Sequence, residues 1–151
     1  MVDFEHEKET DELLNQLNNV KTEEELQEFL KDNEDELNSY NALLYFESCW
    51  LKYGFKTQAQ VIRNSELGHN AYHYLDGRKR LTRDRALCLS LAVHMSLEEV
   101  NTFLKYLGLA QLYARDRRDA IVIFAINKKY SVHDTNAALY EAGLGVLCEE
   151  K

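Results

Sequence analysis

Between Phe55 and Arg85 the chain reads FKTQAQVIRNSELGHNAYHYLDGRKRLTRDR, and its polar side chains fall into two sets. His69, Asn70, Tyr72 and His73 can exchange hydrogen bonds or lay a ring on a methyl group, the chemistry that reads the edges of stacked bases. Gln58, Arg78, Lys79, Arg80 and Arg83 supply cations and an amide, which grip phosphate oxygens without reading sequence. His69 and His73 also stand at the i, i+4 spacing of a helical metal pair. The glutamate of an H-E-x-x-H site is missing and a third ligand is not near, so no metal is expected. The sequence lacks a G-x-S-x-G element, a P-loop and a Cys–His pairing, so neither catalysis nor a cofactor is expected.

Those side chains need elements to present them. Thr57 with Gln60 forms a capping box that opens a helix to Asn64, with Val61 and Ile62 inward. A break follows at Glu66 to Gly68. A second short helix, from about His69 to Asp76, turns Ala71, Tyr74 and Leu75 inward and leaves His69, Asn70, Tyr72 and His73 on its other face. The cationic loop Gly77-Arg78-Lys79-Arg80 comes next. Upstream, Asn38 or Ser39 can cap a helix in which Leu43, Phe46, Trp50 and Tyr53 recur at three- and four-residue spacing before Gly54 stops it.

The rest of the composition points the same way. With no proline, six glycines and 45% apolar residues in 151, the chain is expected to be all-α with a real core. No apolar run is long enough for a bilayer and the N-terminus is acidic, so a cytoplasmic protein is expected. Cys49, Cys88 and Cys148 are odd in number and far apart, which suits buried free thiols. The net charge of −8 is unevenly spread. Residues 1–39 hold fourteen acids against three lysines, whereas Lys52 to Arg85 holds eight bases against three acids. In the acidic part, Thr10 starts one helix with Leu13, Leu14 and Leu17 on a face. Thr22 and Glu25 cap a second, with Leu26, Phe29 and Leu30. Stripes this narrow do not stabilise isolated helices, so both must lie on the body or on a partner. The acidic run is a solvated face, a competitor for the basic surface, or a site for another protein.

A repeat shapes the second half. Ser96-Leu97-Glu98-Glu99-Val100-Asn101 matches Ser131-Val132-His133-Asp134-Thr135-Asn136 at an offset of 35 residues. Gly108 falls on Gly143, Leu112 on Leu147, and Arg83-Asp84 on Arg118-Asp119. A helical hairpin therefore occurs twice, its helices capped by Ser96 and Ser131 and stopped by the glycines. Two copies stacked in sequence would extend the body. Ile121 to Ile126 is too broadly apolar for a surface helix, so it is expected to be central or part of a subunit interface. Arg115, Arg117 and Arg118 either reach a nucleic-acid backbone or pair with Asp116, Asp119 or the acidic helices.

From Phe46 to Leu109, the order helix, turn, helix, Gly-Arg-Lys-Arg, helix, Ser-Leu-Glu-Glu-Val resembles the Xre/Cro-type, phage-repressor-like helix-turn-helix family. The family usually has Gly within the turn, where this chain offers Glu66 or, with a turn one residue shorter, Gly68. The resemblance implies a lambda-repressor-like bundle over 40–109, preceded by two acidic helices in 1–39 and extended by a hairpin over 110–151 that repeats 82–109. It also implies a sequence-specific transcriptional regulator that binds double-stranded DNA, with the second helix in the major groove, as a homodimer on a two-fold site. The alternative is an interaction module that keeps the helix-turn-helix shape without binding DNA.

Overall fold

A computed structural model of the chain describes residues 10–150; the acidic residues 1–9 and the last lysine lie outside the described residues. All regular structure among the described residues is helical: α1 (Thr10–Asn18), α2 (Glu23–Asp32), α3 (Glu34–Lys52), α4 (Gln58–Ser65), a 3-10 turn (His69–Ala71) running into α5 (Tyr72–Leu75), α6 (Arg83–Ala92), α7 (Leu97–Tyr106), α8 (Arg117–Asn127) and α9 (Val132–Glu141). No described helix is long and apolar enough to cross a membrane.

Side-chain oxygens start most of these helices. Thr22, Thr57, Thr82, Ser96, Asp116 and Ser131 each accept from the backbone amide three residues on, satisfying a donor that the helix itself leaves open. The box expected at Thr57 is shifted by one residue: Gln60 reaches back to the amide of Lys56, 2.7 Å away. The start of α3 is the larger departure. The helix begins at Glu34, not at Asn38 or Ser39, so the domain boundary drawn after residue 39 falls inside it. Asn33 precedes the helix without a side-chain cap to it. Fully buried, it donates through Nδ2 to the carbonyl of Phe29 and to Oε1 of Gln16, making a joint between α1, α2 and α3.

Helix α6 lies at the centre. Every residue from Ala86 to Ala92 is buried, with α4 along one side and α7 and α9 on others. Ala42, Phe46 and Trp50 of α3 enter the same core, where Phe46 stacks on Phe103 of α7 at 5.0 Å between ring centres. Glu99 fastens α3 to α7 from the outside, accepting from the Tyr53 hydroxyl, the Lys52 ammonium and the Ser96 amide. Burial alone would raise its pKa, but the hydrogen bonds from Tyr53 and Ser96 and the one from Lys52 prevail and hold it down at about 2. The helices α1 and α2 pack on each other and make no substantial contact with α4 to α9.

The repeat is real, but its copies do not stack as in a solenoid. Each copy's first helix lies against the other's second helix, α6 on α9 and α8 on α7. The contacts exchange like those of a symmetric dimer, residue i to j and j to i. Arg83 forms a two-pronged pair with Asp119 at 2.9 Å, and Arg118 a two-pronged pair with Asp84 at 2.8 and 3.1 Å. Each guanidinium also closes its own copy: Arg83 donates to the carbonyls of Ala110 and Gln111, and Arg118 to those of Gly145 and Val146, 35 residues on. The recurring asparagines bind equivalent amides, Asn101 that of Leu112 and Asn136 that of Leu147.

The two bridges are unequal in burial, since the Asp119 side chain is 9% exposed and that of Asp84 39%. Arg83→Ala leaves the largely buried Asp119 carboxylate without its counter-charge and with the Tyr113 amide as a remaining donor, so it is expected to cost about 3 kcal/mol, whereas Arg118→Ala, with a solvated partner, is expected to cost about 1–2 kcal/mol. Urea denaturation of both variants checks the order. The carboxyl of Glu99 is depressed from 4.5 to about 2, so its contribution is complete above about pH 4.5 and lost as pH falls through about 2. Glu99→Gln is therefore expected to lower stability by about 2–3 kcal/mol at neutral pH, with the difference from the parent vanishing near pH 2. Denaturant midpoints across that range test the sign.

Candidate nucleic-acid interface

The surface built by α4 to the start of α6 follows from a few local choices. Val61, Ile62 and Ser65 bury one side of α4. The chain then reverses at Glu66, which takes the left-handed conformation (φ 62°, ψ 12°), and again bends at Gly68 (φ 79°). Both candidates for the turn residue thus adopt positive φ, and the carboxylate-bearing one occupies the position just after the helix. A non-glycine residue in this region carries strain of order 1–2 kcal/mol. The next helix is short, a 3-10 turn followed by one α turn, and it buries Ala71, Tyr74 and Leu75.

Its other positions divide. His69 and Asn70 are exposed, while Tyr72 and His73 are half-buried. The His69 and Tyr72 rings meet edge-on at 5.2 Å, so the four residues form two outward groups and two that lean into the surface. Among the described residues, no group of three or more His, Cys, Asp or Glu gathers as a metal site.

The loop after α5 is fixed by Asp76, whose carboxylate accepts from the Arg78 amide at 3.0 Å and pairs with the Arg78 guanidinium at 3.1 Å. Gly77 supplies a φ of 85°, which closes the loop so that the Lys79 amide reaches the carbonyl of His73. Lys79 and Arg80 are exposed. They border a crevice of about 250 Å³ that also touches Leu43, Tyr74 and Leu109. Gln58 is half-buried in the first turn of α4.

Arg83 is elsewhere. Assigned to phosphate by its place in the sequence, it is committed to Asp119 and two carbonyls, and that pairing raises its own affinity for its proton. Arg118 is likewise drawn to Asp84, a partner outside the set Asp116, Asp119 and the acidic helices. The signal for both was present, since Arg-Asp falls on Arg-Asp in the repeat, but the exchange between copies requires knowing how the copies face each other. The Glu99 cluster has no comparable signal beyond its capping box.

The thiols also depart from expectation. Cys49 and Cys88 are buried, but Cys148 is only half-buried, beside Cys88. A hydrogen bond from the Cys88 thiol holds Cys148 down at about 7 against the effect of burial, while the same contact and its own burial push Cys88 up.

Because glycine relieves left-handed strain, Glu66→Gly is expected to raise stability by about 1 kcal/mol and Glu66→Val to lower it. Thermal unfolding of the two variants measures both. No family model, curated protein or solved structure matches the chain.

Proposed function

We propose that the chain is a sequence-specific DNA-binding transcriptional regulator of the Xre/Cro type, with the element beginning at His69 as its reader. The observation that carries this reading is the pairing of exposed His69 and Asn70 with exposed Lys79 and Arg80 one short loop away. Hydrogen-bonding groups for base edges stand next to cations for the flanking backbone. In this reading α3 to α7 are the five helices of the domain and α4 lies across the DNA backbone with Gln58 at its leading turn. Asn70 and His69 contact bases, and Tyr72 and His73 support them from the half-buried side. Lys79, Arg80 and Arg78 line the phosphates, with Arg78 held in position by Asp76. Arg83 belongs to the framework and is withdrawn from the contact set.

A second reading has its own support. Glu66 presents a carboxylate at the turn, and Arg78 and Arg83 are partly or wholly neutralised by Asp76 and Asp119. Those features suit a protein-binding module that retains the shape and has lost DNA.

Salt separates the two. Binding of a random duplex pool by the full chain is expected to fall linearly in log salt. Lys79→Ala with Arg80→Ala is expected to reduce the slope by about two while the fold is kept. Asn70→Ala is expected to relax selection at one base pair, costing about 1–3 kcal/mol on the preferred site. Unchanged affinity and slope in the double variant would remove the reader and leave the protein-binding module.

A further inference from the structure

The duplication supplies an internal template for judging which surfaces are meant to be covered. In the first copy, Ala86 and Leu89 of α6 and Val93 just after its end form one stripe with no exposed surface, with α4 packed along the helix. The equivalent stripe of the second copy, 35 residues on, is Ile121 and Phe124 of α8 with Lys128 just after its end. There Phe124 is 51% exposed and Ile121 half-exposed, with Tyr130 set edge-on against the Phe124 ring at 5.8 Å and the Lys128 ammonium over that ring at 5.8 Å. Helix α8, which its apolar run marked as central or interfacial, is therefore not the centre of the bundle.

The substitutions between the copies describe what would cover that stripe. Where the first copy has Thr82 and Val93 at the two ends, the second has Arg117 and Lys128, both exposed. A covering helix must be apolar in the middle and acidic at the flanks. The chain contains such an element. Helices α1 and α2 pack on each other, make no substantial contact with α4 to α9, and leave Leu14, Leu17 and Leu30 between 41% and 52% exposed. Their first turns carry Asp11 and Glu12, and Glu23, Glu24 and Glu25.

We propose that the exposed stripe of α8 is the docking site for the acidic α1–α2 hairpin of a second copy of the chain, exchanged reciprocally about a two-fold axis. Each contact is small, and reciprocal exchange doubles it, bringing the pair toward the area that a specific dimer needs. The apolar residues Leu14, Leu17 and Leu30 cover Phe124 and Ile121, while the acids of the hairpin face Arg117 and Lys128. The association concerns protein alone and stands whether or not the chain reads DNA.

Sedimentation equilibrium of the full chain without DNA tests it, using the wild type, Phe124→Asp, and Leu14→Asp with Leu17→Asp. All three substitutions are at exposed sites, and circular dichroism verifies the fold. The expected result is a wild-type dimer at micromolar concentration whose dissociation constant rises at least about tenfold toward 0.5 M salt, where exposed charges are screened. Both variants are expected to be monomeric alone. Mixed, they are expected to form a heterodimer weaker than the wild-type dimer but tighter than either variant with itself, because one of the two contacts, an intact α1–α2 hairpin on an intact α8, remains. A wild type that stays monomeric overturns the proposal. So does disruption by Phe124→Asp but not by Leu14→Asp with Leu17→Asp, which would mean α8 pairing with α8, or a mixture that associates no more than the separate variants do.

Discussion

Two arginines, 35 residues apart, hold the second half of this protein together by each reaching into the other's repeat. Arg83 and Arg118 sit in the first turn or cap region of α6 and α8, where a guanidinium can face both a neighbouring carboxylate and the carbonyls left open after the following hairpin. One planar group thus satisfies acceptors from two chain segments at once, which a lysine could not do with the same geometry. Because the pairing is reciprocal, it fixes the mutual orientation of the repeats rather than their order along an axis. With the orientation set, α6 falls between α4, α7 and α9 and becomes the buried centre on which the preceding helices assemble.

Much of this arrangement can be read from the residues. The capping serines and threonines give helix starts to within a residue or so, since they act through local hydrogen bonds that depend little on the rest of the chain. The all-helical character and the duplication are equally plain. The junction at Asn33 is not, because the sequence offers a better-looking cap further along, and the asparagine side chain bonds back to α1 and α2 instead of capping α3. The central role of α6 over α8 is also hidden: α8 is the more continuously apolar of the two, and what separates them is the presence of α4 on one side only.

The candidate reader is legible in part, for a comparable reason. Residue types and helical spacing place His69 and Asn70 outward and Ala71, Tyr74 and Leu75 inward, and the structure agrees on those five. Spacing says less about Tyr72 and His73, because a 3-10 turn rotates side chains differently from an α turn, and the element here is mostly end with little middle. Nor does it show that Lys79 and Arg80 stay exposed while Arg78 and Arg83 are half-buried. Asp76 from the same loop and Asp119 from a distant helix are brought beside Arg78 and Arg83, which spacing along the chain does not announce.

The exchanged arginines carry a consequence for how the protein changes over generations. An Arg-Asp dipeptide in one repeat is complementary to the Arg-Asp in the other, so an alteration at position 83 is felt at 119 and one at 84 is felt at 118. Loss of Arg83 by itself would leave the largely buried Asp119 without its counter-charge, whereas paired replacements that keep a donor facing the carbonyls of Ala110 and Gln111 would keep the match. Duplication ordinarily frees one copy to diverge; here it ties two dipeptides into a single unit of inheritance, while leaving the outer stripe of α8 at liberty to acquire a new role.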